Sequence, residues 1–301
     1  MKTLAKIVVL TLLIQGCAPE DILIQVAPEP SRVVVSSQLI PPNFLLVTLS
    51  RSFSALAPDS FESLEDNFVN ALLVDSAFVT LEYAGYTDTL FEAGPGIYAG
   101  ELSEAIESET YRLVIYDSLN ADYVTATTRL MPQVVLQGAR LEVEVFADDT
   151  IFNTRYAFTD PEEENWYITQ ATQVDGFTLD DLLTAQIIDD SLVLDNGSVP
   201  PVFDEDATAN LLYTRIFSDL ELDTMRVERS VNVPDNPGDT IIFNLVNITE
   251  GYFRYLDAQQ RNGGVLASIS GEPINFPTNV ENGFGYFTMN RPSYRVFINR
   301  D

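Results

Sequence analysis

The side chains that could do chemistry in this chain are mainly carboxylates. The sequence holds 45 aspartates and glutamates against 16 lysines and arginines, and it has no histidine. Ser-His-Asp and Cys-His catalysis, histidine zinc sites and histidine proton relays therefore need a residue that this chain lacks. Both lysines, Lys2 and Lys6, lie in the first six residues, so none remains downstream for a Schiff base or a Walker A loop. Carboxylate, hydroxyl and arginine chemistry is what remains.

Three carboxylate clusters are candidates for calcium binding or catalysis. They are Asp189-Asp190, Asp204-Glu205-Asp206, and Asp235 with Asp239. Calcium binds such oxygens, but the sixth position from Asp204 is Ala209, where an EF-hand loop has glycine. A glycosidase needs two carboxylates about 5 to 10 Å apart in a cleft, and no motif singles out such a pair. Solvated acidic loops explain the clusters better, so we predict no metal ligand, no cofactor-binding residue and no catalytic residue.

Aromatic side chains are the second group with binding potential, because sugars stack on aromatic rings. Trp166 and Tyr167 are adjacent, and Tyr252, Phe253 and Tyr255 recur at helical spacing. A stripe of this kind also packs against a sheet as ordinary core. The pattern favours packing for the helical stripe and leaves both interpretations open for the Trp-Tyr pair.

The single cysteine predicts how the chain is attached. Lys2 and Lys6 precede an apolar run from Ile7 to Leu13, and Gly16 stands directly before Cys17. The run is about half of the roughly 20 residues that cross a bilayer, so it indicates a signal segment and not a transmembrane helix. Gly16-Cys17 resembles the bacterial lipobox, in which signal peptidase II cuts before a cysteine that then carries lipid. We predict a signal peptide over residues 1–16 and lipid attachment at Cys17.

The charge of the chain limits its partners. A net charge of -29 repels phosphate backbones, so we expect no nucleic acid. It also disfavours docking on an anionic membrane through basic patches, which leaves the Cys17 lipid as the contact with the membrane. Residues 17–31 include three prolines and predict an extended, lipidated tether. Within it Glu20-Asp21 resembles the export signal of surface lipoproteins in Bacteroidota, so we expect an outer-membrane location that is periplasmic or surface-exposed, with the surface favoured.

Strand patterns begin at residue 32. Runs rich in β-branched and aromatic residues, separated by turn residues, predict about seven strands over residues 32–131. Tyr111, Leu113 and Ile115 recur every second residue, and Gly94-Pro95-Gly96 indicates a turn. This spacing of strands and turns predicts an immunoglobulin-like β-sandwich.

Met131-Pro132 marks a predicted boundary, after which residues 132–301 form a second, antiparallel β domain. Residues 151–159 and 166–172 flank an acidic loop and are predicted to pair as a hairpin, as are residues 284–289 and 294–299. Thr249 as N-cap and the stop at Asn262-Gly263-Gly264 predict one main helix near residues 250–261. The fold class is therefore mainly β.

Several motifs together resemble a known family. They are the lipobox, Gly94-Pro95-Gly96-Ile97-Tyr98, Thr125-Ala126-Thr127-Thr128 before Pro132, Asp160-Pro161 before Trp166-Tyr167, the helix with Tyr252 to Leu256, and Asn279-Val280-Glu281-Asn282-Gly283-Phe284-Gly285-Tyr286-Phe287. The chain resembles the Bacteroidota outer-membrane lipoproteins grouped as domain of unknown function 4249, which more often have glycine where Asn282 stands. The resemblance implies a two-part β architecture and association with TonB-dependent uptake systems, and it carries over no catalytic residue. The residues themselves favour a structural role for the last motif, with a ligand-binding turn as the alternative.

Three functions remain open at this point. The first is a lipid-anchored binding or accessory subunit of a TonB-dependent nutrient-uptake system, without catalysis of its own. The others are a carboxylate-dependent glycan hydrolase and a surface structural or adhesion protein. The ligand is left open. Asp followed by Ser or Thr and then an aliphatic residue or methionine resembles a bacterial O-glycosylation sequon and recurs at Ser76, Thr89, Ser118, Thr150, Ser191, Thr224 and Thr240.

Overall fold

Antiparallel strands dominate the protein, which confirms the mainly β fold class. The computed structural model describes residues 30–40, 43–52, 72–146, 149–175, 208–219, 226–233, 240–262 and 276–298. The elements in chain order are β1 (Val33–Ile40), β2 (Phe44–Arg51), β3 (Ala77–Tyr83), β4 (Tyr86–Gly94), β5 (Ile97–Glu101), β6 (Thr110–Asp117), β7 (Asp122–Arg129), β8 (Leu136–Phe146), β9 (Asp149–Thr159), β10 (Trp166–Asp175), β11 (Thr208–Ser218), β12 (Arg226–Val233), β13 (Thr240–Ile248), the helix α1 (Glu250–Asn262), β14 (Val280–Glu281), β15 (Phe284–Tyr286) and β16 (Pro292–Ile298).

The first seven strands form a nine-stranded sheet with β14 and β15. The order is β14-β7-β6-β3-β4-β5-β2-β1-β15. Val33 on β1 and Val124 on β7 lie far apart in this order, yet they belong to one buried cluster, so the sheet folds over a shared core. Tyr111, Leu113 and Ile115 are fully buried on β6, as their spacing predicts.

Several turns in this sheet use left-handed backbone, among them the turns on either side of β4. Ala84 and Gly85, with φ of 42° and 86°, make the two-residue turn between β3 and β4, as primed hairpin turns require. Gly96 has φ of 65° between β4 and β5, which confirms the predicted turn. A Cβ on Gly96 would lie 2.7 Å from the Leu49 carbonyl oxygen, so this position also needs glycine for space.

A short C-terminal segment joins the two edges of the nine-stranded sheet. Strand β14 pairs antiparallel with β7 at one edge, and β15 pairs in parallel with β1 at the other. Only Asn282 and Gly283 separate the two strands, and Asn282 has φ of 62°, which fits the glycine preference noted for this position. We call residues 279–287 the clasp. It explains the terminal motif as structural.

Side-chain hydrogen bonds hold the clasp in place. The Asn279 side-chain amide donates to the backbone oxygens of Thr127 and Phe287, at 2.8 and 2.7 Å. Its Oδ1 accepts from the Phe287 N–H at 2.9 Å. Asn282 Nδ2 donates to the Tyr123 carbonyl at 3.2 Å. The clasp is thus bonded to β7 through side chains as well as through strand pairing.

The remaining strands form two smaller sheets. One has the order β11-β10-β13-β16 and the other β12-β9-β8. Aromatic rings pack between them: Tyr156 lies 4.9 Å from Phe243, and Phe158 lies 5.0 Å from Tyr167, centroid to centroid. One face of the four-stranded sheet therefore packs against the three-stranded sheet, and its other face is turned to α1.

Two predicted hairpins are wrong because the two strands of each do not pair with one another. Strand β9 pairs with β8 and β12, whereas β10 pairs with β11 and β13, so residues 160–165 connect two sheets. Strand β15 pairs with β1, and β16 pairs with β13. The sheets otherwise divide near Pro132, but Val280, Phe287 and Met289 complete the first core. The domains 32–131 and 132–301 stay a prediction as separate folding units.

The predicted helix is confirmed. The Thr249 hydroxyl accepts from the Tyr252 N–H at 3.3 Å, so Thr249 is the N-cap. Tyr252, Phe253 and Leu256 pack against a small core on the four-stranded sheet, as the apolar stripe predicts. Among the described residues, no helix has the length and apolar character needed to cross a bilayer.

A buried ion pair connects two strands of the first sheet. The Arg51 guanidinium donates to Asp117, whose side chain is fully buried. Asp117 also accepts from the Leu119 N–H at 3.0 Å and from the Asn120 amide at 3.1 Å. Burial alone would raise the pKa of the carboxyl, but these donors hold it below its ordinary value.

Candidate functional site

A cavity of about 290 Å³ lies between the nine-stranded sheet and the four-stranded sheet. Strand β1 provides one wall, α1 provides Tyr252, and residues 288–290 lie beside them. The lining residues are Ser37, Gln38, Leu39, Ile168, Gln170, Asn244, Val246, Tyr252, Thr288, Asn290, Pro292 and Tyr294. Segments that are far apart in sequence therefore meet at this place.

The floor of the cavity is one face of the four-stranded sheet. Strand register aligns Ile168, Val246 and Pro292 in one row across β10, β13 and β16. It aligns Gln170, Asn244 and Tyr294 in the neighbouring row. Because side chains alternate along a strand, both rows lie on the face opposite Tyr167 and Phe243, which pack in the sandwich core. The floor thus combines an apolar row with a polar row.

Three oxygen atoms of the lining residues are buried without a hydrogen-bond partner in the described part of the chain. They are Asn244 Oδ1, Thr288 Oγ1 and Asn290 Oδ1. Thr288 is only 5% exposed. The Asn244 amide nitrogen does have a partner, since it donates to Gln170 Oε1 at 3.4 Å. Buried polar atoms are usually paired, so three unpaired acceptors around one cavity indicate a place where a ligand or water supplies donors.

The wall formed by β1 is fixed by a reciprocal hydrogen bond. Ser37 Oγ donates to the Thr288 carbonyl at 2.8 Å and accepts from the Thr288 N–H at 2.8 Å. This bond continues the pairing of β1 with β15 beyond the end of that short strand. It fixes the backbone that carries the Thr288 side chain, so the position of Oγ1 depends on β1.

Among the described residues that line the cavity, none is a carboxylate, a lysine or an arginine. Its two titratable groups are phenols, and burial raises the pKa of both Tyr252 and Tyr294 above the ordinary value. Both phenols therefore stay protonated at neutral pH. In a protein with a net charge of -29, this cavity is a neutral region that is rich in hydrogen-bonding groups.

An aromatic cluster at α1 connects the cavity to the clasp. The Tyr286 ring lies 5.2 Å from Tyr252 and 5.3 Å from Tyr255, and Phe276 lies 6.3 Å from Tyr255. Tyr252 both lines the cavity and contacts the clasp residue Tyr286. The aromatic stripe of α1 therefore serves mainly in packing, and one of its residues, Tyr252, also faces the cavity.

The other candidates from the sequence lie elsewhere or outside the described residues. Tyr167 is buried in the sandwich core, where it donates to Asp160, and Trp166 packs beside the small core under α1. Cys17 and the acidic clusters at 189–190, 204–206, 235 and 239 lie outside the described residues. In the ranges that the structure does describe, no group of three potential metal ligands occurs.

The sequon-like positions have mixed surroundings. Ser76, Thr89 and Ser118 are exposed, and Ser118 Oγ donates to the Ser76 carbonyl at 2.6 Å. Thr150 and Thr240 lie on β9 and β13, while residues 191 and 224 lie outside the described ranges. Glycosylation at any of these positions stays a prediction.

Sequence reasoning missed the cavity because its residues come from four separate segments. One signal was present in β13, whose sequence Ile-Ile-Phe-Asn-Leu-Val-Asn-Ile has polar residues inside a buried strand. Asn247 proves to be structural, since its amide donates to Asn165 at 3.1 Å and to the Pro132 carbonyl at 3.2 Å. Asn244, by contrast, lines the cavity and has an unpaired side-chain oxygen, so it was the polar residue in this strand that signalled the site.

The fold and the site define a mainly β protein, whose described residues form three sheets, a helix packed on one of them and a cavity between two sheets. The family model described as a domain of unknown function (DUF4249) matches residues 20–293, and the chain belongs to this family. No curated protein matches the chain. The match confirms the resemblance to domain of unknown function 4249, and the outer-membrane lipoprotein character expected from the sequence stays a prediction.

Proposed function

We propose that this protein is a lipid-anchored outer-membrane lipoprotein of Bacteroidota type, exported by a signal peptide. In this proposal it acts as a binding or accessory subunit of a TonB-dependent nutrient-uptake system and faces the cell surface. The observation that carries the proposal is the sequence around Cys17, where a short apolar run ends at Gly16 and the only cysteine. Membership of the family is in keeping with it.

The cavity supports a binding role over a catalytic one. A glycan hydrolase needs two carboxylates on either side of the scissile bond, and no carboxylate is found among the lining residues that the structure describes. A binding subunit needs a shaped, partly apolar space with a few placed polar groups, which this cavity provides. Binding is therefore the function that we propose for it.

Lipid attachment is tested by metabolic labelling with a fatty acid in a Bacteroidota host. We expect label on the wild-type protein and on Ala18→Ser, the matched control beside the cysteine. We expect no label on Cys17→Ala, which removes the thiol. Label that persists on Cys17→Ala contradicts the anchor.

The partner is tested by affinity purification of the tagged, full-length protein from solubilised outer membranes. We expect a TonB-dependent receptor to co-purify in stoichiometric amount. A labelled, outer-membrane protein that recovers no such receptor contradicts the uptake role and leaves the anchor standing.

A further inference from the structure

The side chains that line the cavity between the sheets determine which class of ligand fits it. Twelve described residues line it; eight of these carry hydrogen-bonding side chains, and none of the twelve carries a formal charge at neutral pH. The polar ones are Ser37, Gln38, Gln170, Asn244, Tyr252, Thr288, Asn290 and Tyr294. A ligand that fits this lining exchanges many neutral hydrogen bonds.

Charged ligands are poorly matched to this lining. A buried charge needs a counter-charge or several strong partners, and the part of the lining that the structure describes offers no counter-charge. The net charge of -29 also repels anions before they reach the cavity. A purely apolar ligand is equally poor, because it would leave Asn244 Oδ1, Thr288 Oγ1 and Asn290 Oδ1 without donors.

Hydroxyl groups match what the lining offers. Each hydroxyl donates one hydrogen bond and accepts others, so it can serve an amide oxygen and an amide nitrogen at the same time. The three unpaired acceptors need donors, which a ligand with several hydroxyls supplies. The row of Ile168, Val246 and Pro292 faces the same space and suits the C–H face of a sugar ring. The volume of about 290 Å³ is at the small end of ligand pockets, which suits a ligand of one or two sugar rings.

We propose that this cavity is a binding site for an uncharged, hydroxyl-rich ligand of the class of a mono- or disaccharide, with Asn244, Thr288 and Asn290 as its acceptors. The inference rests on the binding role proposed above and names its ligand class. Ligand binding would explain why Gln170, Asn244 and Tyr294 form a polar row on the four-stranded sheet, because packing alone does not require polar side chains there.

The test is calorimetric titration of the full-length protein, purified in detergent. The probes are glucose, galactose, N-acetylglucosamine, maltose and lactose, with glucuronate and glucosamine as charged counterparts. We expect at least one neutral sugar to bind and its charged counterpart to bind at least about tenfold more weakly, a difference of about 1.4 kcal/mol. No heat from any neutral sugar up to about 10 mM, or tighter binding of a charged one, overturns the proposal.

Two variants assign the binding to the cavity. Thr288→Val keeps the shape and removes an unpaired oxygen, so we expect about fivefold weaker binding with an unfolding midpoint equal to or above that of the wild type. Asn290→Ala, on a partly exposed connection, should weaken binding similarly. Thr127→Val, an exposed threonine on β7, is the control and should bind as the wild type does. Sugar binding that both cavity variants leave unchanged overturns the assignment.

The proposed uptake role and the proposed ligand class can be refuted independently of each other. A lipidated, receptor-bound protein that binds none of the neutral sugars overturns the ligand class and leaves the uptake role intact. A protein that binds sugar in this cavity but is neither lipidated nor receptor-bound supports the ligand class and overturns the uptake role.

Discussion

The close approach of the clasp to β1 can be tested at a single glycine. Gly285 has φ of 86°, and a Cβ built on it would lie 2.1 Å from the Val35 carbonyl oxygen and 2.9 Å from the Val35 nitrogen. Both atoms belong to backbone. They cannot retreat, because β2 pairs with β1 on its other side. Gly285→Ala must therefore displace β15 from its parallel partner.

Two effects contribute to the expected loss of stability in Gly285→Ala. The left-handed backbone conformation costs alanine about 1 to 2 kcal/mol. Displacing β15 adds the loss of a short pairing that spans Val34 to Ser36, at about 0.5 to 1.5 kcal/mol for each hydrogen bond. We therefore expect Gly285→Ala to lower the free energy of unfolding by about 3 to 5 kcal/mol.

Substitutions at two other glycines distinguish the cost of the backbone conformation from the cost of displacing β15. Gly85 has the same φ of 86° but no atom within 4 Å of a Cβ, so Gly85→Ala should show only the backbone cost of about 1 to 2 kcal/mol. Gly138 is also open and is not among the residues with positive φ, so Gly138→Ala should be neutral or stabilise by up to about 1 kcal/mol. Urea unfolding followed by circular dichroism measures all three variants against the wild type.

The relative size of the three changes in the free energy of unfolding tests this reasoning. If Gly285→Ala costs no more than Gly85→Ala, the Cβ at position 285 has room and β15 does not lie against β1 as described. If Gly138→Ala costs as much as the others, alanine at any glycine destabilises the chain and the reasoning from φ and space is refuted.

Two further predictions concern a buried charge and a helix cap. Asp117→Asn should cost about 3 to 5 kcal/mol at pH 7, because Arg51 is left buried and unpaired. The pKa of Asp117 is lowered in the folded state, so its contribution is present above the unfolded pKa near 4 and is lost as the pH falls through the folded value. The difference between the urea midpoints of the two proteins should shrink as the pH falls below about 4, and a constant difference refutes the linkage. Thr249→Ala should cost about 0.5 to 2 kcal/mol, measured by thermal unfolding, and no change would mean that the N-cap bond is not formed.

Local patterns in the sequence were sufficient for most elements of the fold. The period of two at Tyr111, Leu113 and Ile115 predicted a buried strand, and all three side chains are fully buried on β6. Thr249 predicted where α1 begins, because an N-cap acts within one turn of its own helix. Gly94-Pro95-Gly96 predicted a turn for the same reason, since its backbone requirement is local.

Strand partners were not predictable in the same way. Residues 284–289 and 294–299 looked like a hairpin because they are adjacent and both suit strands. Instead β15 pairs with β1, placing Phe284 opposite Val34, and β16 pairs with β13. The side-chain period of a strand tells which face is buried, and it says nothing about which distant strand completes the ladder.

The segment from the clasp to β16 has three structural roles along one short stretch of chain. Strands β14 and β15 close the first sheet, Thr288 and Asn290 form part of the cavity, and β16 completes the four-stranded sheet. Ser37 holds the backbone of Thr288 from the first sheet, while Tyr294 lies in the floor of the second. A ligand in the cavity therefore touches groups fixed by both sheets. Because each sheet positions part of the lining, occupation of the cavity should favour the arrangement in which the two sheets keep their present spacing.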